Sequence, residues 1–67
     1  MTFTVHASRG EHVTITVRLS VVVAIAKGLA FAEEGWQVFI VGPDGVRYEP
    51  PEFDKLLSFS PELQSRG

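Results

Sequence analysis

The apolar and polar residues of the first 18 positions alternate, a pattern that predicts two β-strands. The two alternating runs, residues 2–7 and 12–18, flank Gly10. Two such runs around a glycine are typical of a β-hairpin. We assign their apolar positions to the core face of the predicted sheet; these are Phe3, Val5, Ala7, Val13, Ile15 and Val17.

The register of this hairpin follows from the requirement that the apolar residues of both strands lie on the same face of the sheet. All the apolar positions are odd-numbered, so directly opposed residues must add up to an even number. A three-residue loop of Ser8, Arg9 and Gly10 meets this condition, with Gly10 at the left-handed position of a bulged loop. The predicted register places His6 opposite His12, on the open face of the sheet.

The stretch from Ser20 to Gly35 predicts a single helix that covers the strands. The Ser20 hydroxyl is suited to accept from the free amides of the first turn, and Gly35 is suited to the left-handed conformation that ends a helix. The three valines at 21–23 are poor helix formers, so a strand continuing from Arg18 is the competing interpretation. Helical spacing gives a core stripe of Val21, Val22, Ile25, Leu29 and Ala32.

The alternation returns after the helix and predicts a second hairpin. Trp36 is expected to be buried where the helix end meets the third strand, in line with Val38 and Ile40. A turn over residues 43–45 has proline, aspartate and glycine in the order that a turn prefers. The register that preserves the faces pairs Ile40 with Tyr48.

A pair of prolines ends the fourth strand, since proline cannot donate to a ladder. A proline also suits the first position of a helix, so residues 51–57 predict a short helix. Its apolar face would consist of Phe53, Leu56 and Leu57. Residues 60–67 are polar and terminal, and we predict a mobile tail there.

These elements predict an α+β domain over residues 1–59, with the order β-β-α-β-β and a short C-terminal helix. One helix would pack on a four-stranded sheet. The strand order stays open: if strands two and three are neighbours, the helix forms a right-handed crossover between parallel strands. Otherwise the hairpins meet through other edges.

Composition excludes several classes of protein. The chain has 67 residues and a net charge of −2, with six basic residues scattered along it, so a surface built to neutralise phosphates is not expected. There is no cysteine, hence no disulfide framework. The helix is too short to span a bilayer. Because strand-like alternation begins directly after Met1, we expect no signal peptide and a cytoplasmic location.

Residues 35–57 carry a recognisable set of motifs: Gly-Trp after an alanine-rich helix, a hairpin turn at Asp-Gly, then Arg-Tyr, a proline and Glu-Phe-Asp. This stretch resembles a recurring C-terminal segment of small uncharacterised bacterial proteins. The resemblance implies a fold and no activity. The matching residues are Gly35, Trp36, Asp44, Gly45, Arg47, Tyr48, Pro51, Glu52, Phe53 and Asp54.

Candidate chemistry is sparse. His6 and His12, opposed on the open face, would supply two ligands of a transition-metal site, whereas structural zinc needs four. Neighbouring Glu33 and Glu34 point in different directions on the helix, and Ser8 belongs to no recognisable nucleophile pattern. We therefore expect no enzyme, no catalytic residue and no cofactor.

The function predicted best is a small self-associating or partner-binding module, with a homodimer as the expected state and an unidentified protein partner as the alternative. Apolar residues in excess of one core would form the interface. They are Val23, Ala26, Ala30 and Phe31 on the helix, which we favour slightly, and Phe39 and Val41 on the sheet.

Two other functions are also compatible with the sequence. One is a metal-binding protein based on His6 and His12. The other is a domain that binds single-stranded nucleic acid on the sheet, where aromatic and basic side chains would meet bases and phosphates. The acidic balance of the chain opposes the second. Its candidate residues are His6, His12, Arg18, Phe39 and Arg47.

Overall fold

A computed structural model of the chain describes residues 1–59. The predicted α+β architecture is confirmed, and the predicted tail at residues 60–67 lies outside the described residues. The elements are β1 (Phe3–Arg9), β2 (His12–Arg18), α1 (Val21–Glu33), β3 (Gln37–Val41), β4 (Arg47–Tyr48) and a 3₁₀-helix, η1 (Pro50–Phe59).

The four strands form one antiparallel sheet with the order β2-β1-β3-β4. β1 lies between β2 and β3 and pairs with both. β2 and β3 are thus parallel to each other but not neighbours, and α1 connects them across β1. The option in which strands two and three pair directly is thereby excluded.

The core lies between one sheet face, α1 and η1. The sheet contributes odd-numbered residues of β1 and even-numbered residues of β3, as alternation requires. The helices contribute few but closely packed side chains. The buried core residues are Phe3, Val5, Ala7, Val21, Ala24, Val38, Ile40, Phe53 and Leu56.

The buried side of α1 differs from the predicted stripe. The buried positions are Val21, Ala24 and Gly28, whereas Val22 and Leu29 are 54% and 44% exposed. Small residues face inward because the helix lies close to its neighbours: a Cβ added at Gly28 would come within 2.9 Å of the Phe53 ring. The prediction favoured large apolar residues and therefore missed this close approach.

Both ends of α1 are capped as the sequence indicates. The amide of Val23 donates to the Ser20 hydroxyl at 3.4 Å, and Gly35 follows the helix with a φ of 91°. The Gly35 amide donates to the carbonyl of Ala32 and the Trp36 amide to that of Phe31, both at 3.1 Å. This pair of bonds is a Schellman motif.

Trp36 lies at the expected junction of helix and third strand but is only half-buried. Its ring packs against Phe31 with the centroids 5.1 Å apart, the apolar contact that accompanies a Schellman motif. On the same side, Arg9 donates to the Glu34 carbonyl at 3.3 Å. The end of β1 is thus tied to the end of the helix.

The second hairpin has the predicted register, with Ile40 opposite Tyr48. Gly45 takes a φ of 81° in the turn. Asp44 holds the turn together, since one carboxylate oxygen accepts from the Val46 amide at 3.2 Å and the other from the Tyr48 hydroxyl at 2.9 Å.

The first hairpin does not have the predicted register. Arg9 pairs with His12, so the loop contains only Gly10 and Glu11. Gly10 has a φ of 61°, which suits the first central position of a type II′ turn, the preferred two-residue hairpin turn with glycine there. Opposed residues now add up to an odd number, with His6 opposite Ile15.

This shift turns every side chain of β2 to the opposite face from the one predicted. Thr14 and Thr16 lie opposite the buried Ala7 and Val5 and are half-buried on the helix side. The odd-numbered apolar residues of β2 lie on the face away from α1. The assignment of Val13, Ile15 and Val17 to the core is therefore wrong.

η1 begins one residue before the predicted short helix and continues two residues beyond it. Its conformation is 3₁₀, and Phe53 and Leu56 are buried as expected, with Leu57 half-buried. It packs on the helix side of the sheet, against α1 and β4. It therefore covers part of the helix and leaves Phe39 and Val41 on the other face.

The close approach at Gly28 predicts a specific sensitivity to size. Gly28→Val should destabilise the fold by about 1–3 kcal/mol, because the added atoms collide with the buried Phe53 ring. The matched control is Ala26→Val on the exposed side of α1, which should cost less than about 1 kcal/mol through helix propensity alone. Chemical denaturation measures both; equal losses would contradict the packing described.

Tyr48 provides a pH-dependent test of the Asp44 contact. The hydrogen bond to Asp44, followed by burial and the charges of Asp44 and Glu52, raises the pKa of Tyr48 above its usual 10.0. The raised pKa makes the contact stabilising below pH about 10, and this contribution is lost as the pH rises through the folded-state pKa. Asp44→Asn should lower the pKa.

The chain has one tyrosine, so the ultraviolet absorbance of its phenolate reports this titration alone. An unchanged midpoint in Asp44→Asn would show that the hydroxyl does not donate to Asp44.

Candidate interaction surface

The sheet face away from α1, which we call the open face, carries apolar side chains of β2 and β3, with polar side chains of β1 between them. Ile15 of β2, His6 of β1 and Phe39 of β3 stand in one row across it, because each is directly opposite the next. A second row contains Val17, Thr4, Val41 and Arg47 in the order of the strands.

The most exposed apolar group of the open face belongs to β2. Val13, Ile15 and Val17, which we call the β2 stripe, are 67%, 59% and 57% exposed. Single exposed apolar side chains are common, but a contiguous row on one strand is the kind of patch that marks an interface. Sequence reasoning missed this row as a surface because it used these residues to build the core.

The two edges of the sheet differ sharply. β4 is two residues long and has η1 packed beside it, two devices that protect an edge from further pairing. β2 is seven residues long, contains no proline and lies at the other end of the strand order. Its outer side has no neighbouring strand within residues 1–59. A long, β-branched edge of this kind is a template for another strand.

Phe39 stands at the centre of a stack on the open face. The His6 ring lies parallel to it at a centroid distance of 4.5 Å and an angle of 10°. The Arg47 guanidinium lies 4.2 Å from its centroid. Since β1 and β4 flank β3 on opposite sides, both faces of the Phe39 ring are occupied. The predicted interface residues Phe39 and Val41 do lie on this face, half-buried by their neighbours.

The two histidines do not come together. His6 is on the open face, whereas His12 lies opposite Arg9 at the turn and belongs by alternation to the helix side. The premise of the metal hypothesis, two histidines on one face, is therefore wrong. Within residues 1–59 no group of three or more metal-ligating side chains occurs.

The helix residues assigned to the interface are distributed unevenly. Val23, Ala26 and Ala30 are exposed, as expected for positions outside the core. Phe31 instead is half-buried against Trp36. Of the helix residues assigned to the interface, one valine and two alanines are thus exposed.

A shallow apolar groove runs between α1 and η1. Its volume is about 400 Å³. Val22 and Leu29 line it, because their side chains lie outside the core. Asp54 is its charged lining residue. The remaining lining residues are Ile25, Pro50, Pro51, Phe53 and Leu57.

No helix within residues 1–59 is long and apolar enough to cross a membrane. Compared with known proteins, the chain matches no protein-family model, no curated protein and no solved structure. The resemblance of residues 35–57 to small bacterial proteins therefore stays a prediction.

Proposed function

We propose that this protein is a small self-associating module, a homodimer rather than an enzyme, and that its copies meet along the edge of the sheet formed by β2, beside the β2 stripe. The observation that supports this most is the exposure of the β2 stripe, three branched apolar side chains in a row. Their exposure in a monomer is unfavourable, and burial of apolar surface is the main driving force of association.

The structure changes the preference between the two predicted interfaces. The helix offers Val23, Ala26 and Ala30, with Val22 and Leu29 54% and 44% exposed beside them. The sheet offers Phe39, Val41 and the β2 stripe, whose three side chains are each more exposed than any of these helix valines and leucines. Larger side chains bury more apolar area for each residue. We therefore favour the sheet over the helix side as the contact between copies.

Sedimentation equilibrium at micromolar concentration tests this directly. The wild-type protein should have twice the monomer mass of 7.4 kDa. Ile15→Lys should be monomeric, because two like charges would be brought together at the contact. The matched control Val23→Lys, at a residue 48% exposed on the helix, should stay dimeric.

Both substitutions are at exposed residues, so circular dichroism should show native folds. At protein concentrations too low for dimers to form, the melting temperatures should change little. A monomeric wild-type protein would contradict self-association. Loss of the dimer in Val23→Lys but not in Ile15→Lys would place the contact on the helix side.

The nucleic-acid alternative has less support from this surface. Bases stack on free aromatic faces, but Phe39 already has His6 on one side and Arg47 on the other. The fluorescence anisotropy of labelled oligothymidylate should therefore show no salt-dependent change when the wild-type protein is added. Binding that weakens with salt and disappears in Phe39→Ala, with Phe31→Ala unaffected, would reinstate this alternative.

A further inference from the structure

The backbone of β2 determines which groups are free for a second strand. In a two-residue hairpin the closing pair, here Arg9 and His12, is hydrogen-bonded, and hydrogen-bonded pairs then alternate along the ladder. The even-numbered residues of β2 therefore bond to β1. The amides and carbonyls of Val13, Ile15 and Val17 point outward, away from the sheet.

We propose that β2 pairs antiparallel with β2 of a second copy, with the two-fold axis at Ile15, so that two four-stranded sheets become one. This inference rests on the proposed self-association and specifies its geometry. Among antiparallel registers, the one centred on Ile15 uses all three outward-pointing residues. Each of the three pairs exchanges two backbone hydrogen bonds, about six in total. A register whose two-fold axis lies one residue away from Ile15 has one pair fewer.

The sequence of β2 is suited to this register because residues 13–17 read Val-Thr-Ile-Thr-Val in both directions. Ile15 would face its own copy, and Val13 would face Val17 of the second copy. On the other face Thr14 would lie opposite Thr16. Pairs of β-branched residues and pairs of threonines are favourable across antiparallel strands, at roughly 0.2–1 kcal/mol each.

The position of the β2 stripe also favours pairing at the edge. The stripe lies at one margin of the open face, while Arg47 lies on the opposite margin with β4. Pairing at β2 brings the two stripes side by side in the middle of the joined sheet and keeps both Arg47 side chains at its ends in solvent. Stacking the two open faces would instead desolvate Arg47, which is costly without a paired anion.

Introduced cysteines give a sharp test, since the chain contains none. Ile15→Cys should form an intermolecular disulfide in most molecules under mild oxidation, because directly opposed residues have Cα atoms about 5.5 Å apart and disulfides need about 4.4–6.8 Å. Val17→Cys is the matched control. Its two copies would be about 14 Å apart along the strands and should cross-link at least tenfold less.

The double variant Val13→Cys with Val17→Cys should cross-link as readily as Ile15→Cys, because these two positions face each other between copies. Cross-linking of Val17→Cys as efficiently as Ile15→Cys would overturn the register.

A measurement on the unaltered sequence guards against a variant that disturbs the dimer. In a mixture of labelled and unlabelled wild-type protein, isotope-filtered NOE spectra should show an intermolecular contact between the Hα atoms of Thr14 and Thr16. Within one copy these atoms belong to the same strand and are too far apart. Stacked sheets lie about 10 Å apart and would not give this signal either.

The outcomes separate the two proposals. A monomer in sedimentation removes self-association and the edge pairing with it. A dimer that lacks the Thr14–Thr16 contact and fails to cross-link through Ile15→Cys keeps self-association and overturns the pairing at β2.

Discussion

The two-residue turn at Gly10 and Glu11 is the constraint on which the surface of this protein depends. A turn of this length makes Arg9 the partner of His12 and fixes the phase of all seven residues of β2. It directs the threonines toward the helix and the branched apolar residues outward. With one more residue in the loop, the same strand would add to the core and leave a polar face outside.

Several contacts at that end of the sheet fit this turn. Since Arg9 is the last residue of β1 and not part of a loop, its side chain lies on the helix side and donates to the carbonyl of Glu34. The same side chain lies 6.0 Å from the centroid of the Trp36 ring. The hairpin end, the helix C-terminus and the start of β3 are thereby linked through one cation.

Local signals in the sequence were sufficient for most of the fold. Ser20 and Gly35 bound the helix, and the order of proline, aspartate and glycine defines the second hairpin, because each residue type acts through its own backbone or side-chain chemistry. The predicted register of the first hairpin was wrong, because one assumption about β2 does not hold. Its register was derived from the assumption that alternating apolar residues face the core, and on β2 that assumption does not hold.

Gly10 could have indicated the correct loop length, because glycine at the first central position is typical of a type II′ turn, which needs only two loop residues. The close packing at Gly28 was equally hard to foresee. It depends on η1, a segment distant in sequence whose Phe53 ring occupies the space that a side chain would fill. Tertiary contacts of this kind do not produce a periodic pattern in the sequence of the helix.

What distinguishes this domain is where its apolar surplus lies. A short chain has a limited core, yet three large side chains of one strand are left in solvent, and no strand of residues 1–59 pairs with the edge beside them. One edge of the sheet is short and covered, and the other is long and open. That asymmetry is one of the observations that support the proposed self-association.

The turn and the phase of β2 can be measured directly from Hα–Hα NOEs within the first hairpin. Such contacts join opposed residues that are not hydrogen-bonded to each other. The structure predicts them between Thr4 and Val17, His6 and Ile15, and Ser8 and Val13. Contacts joining Val5 with Val13 or His6 with His12 would establish the three-residue loop instead, return the β2 stripe to the core, and contradict the account.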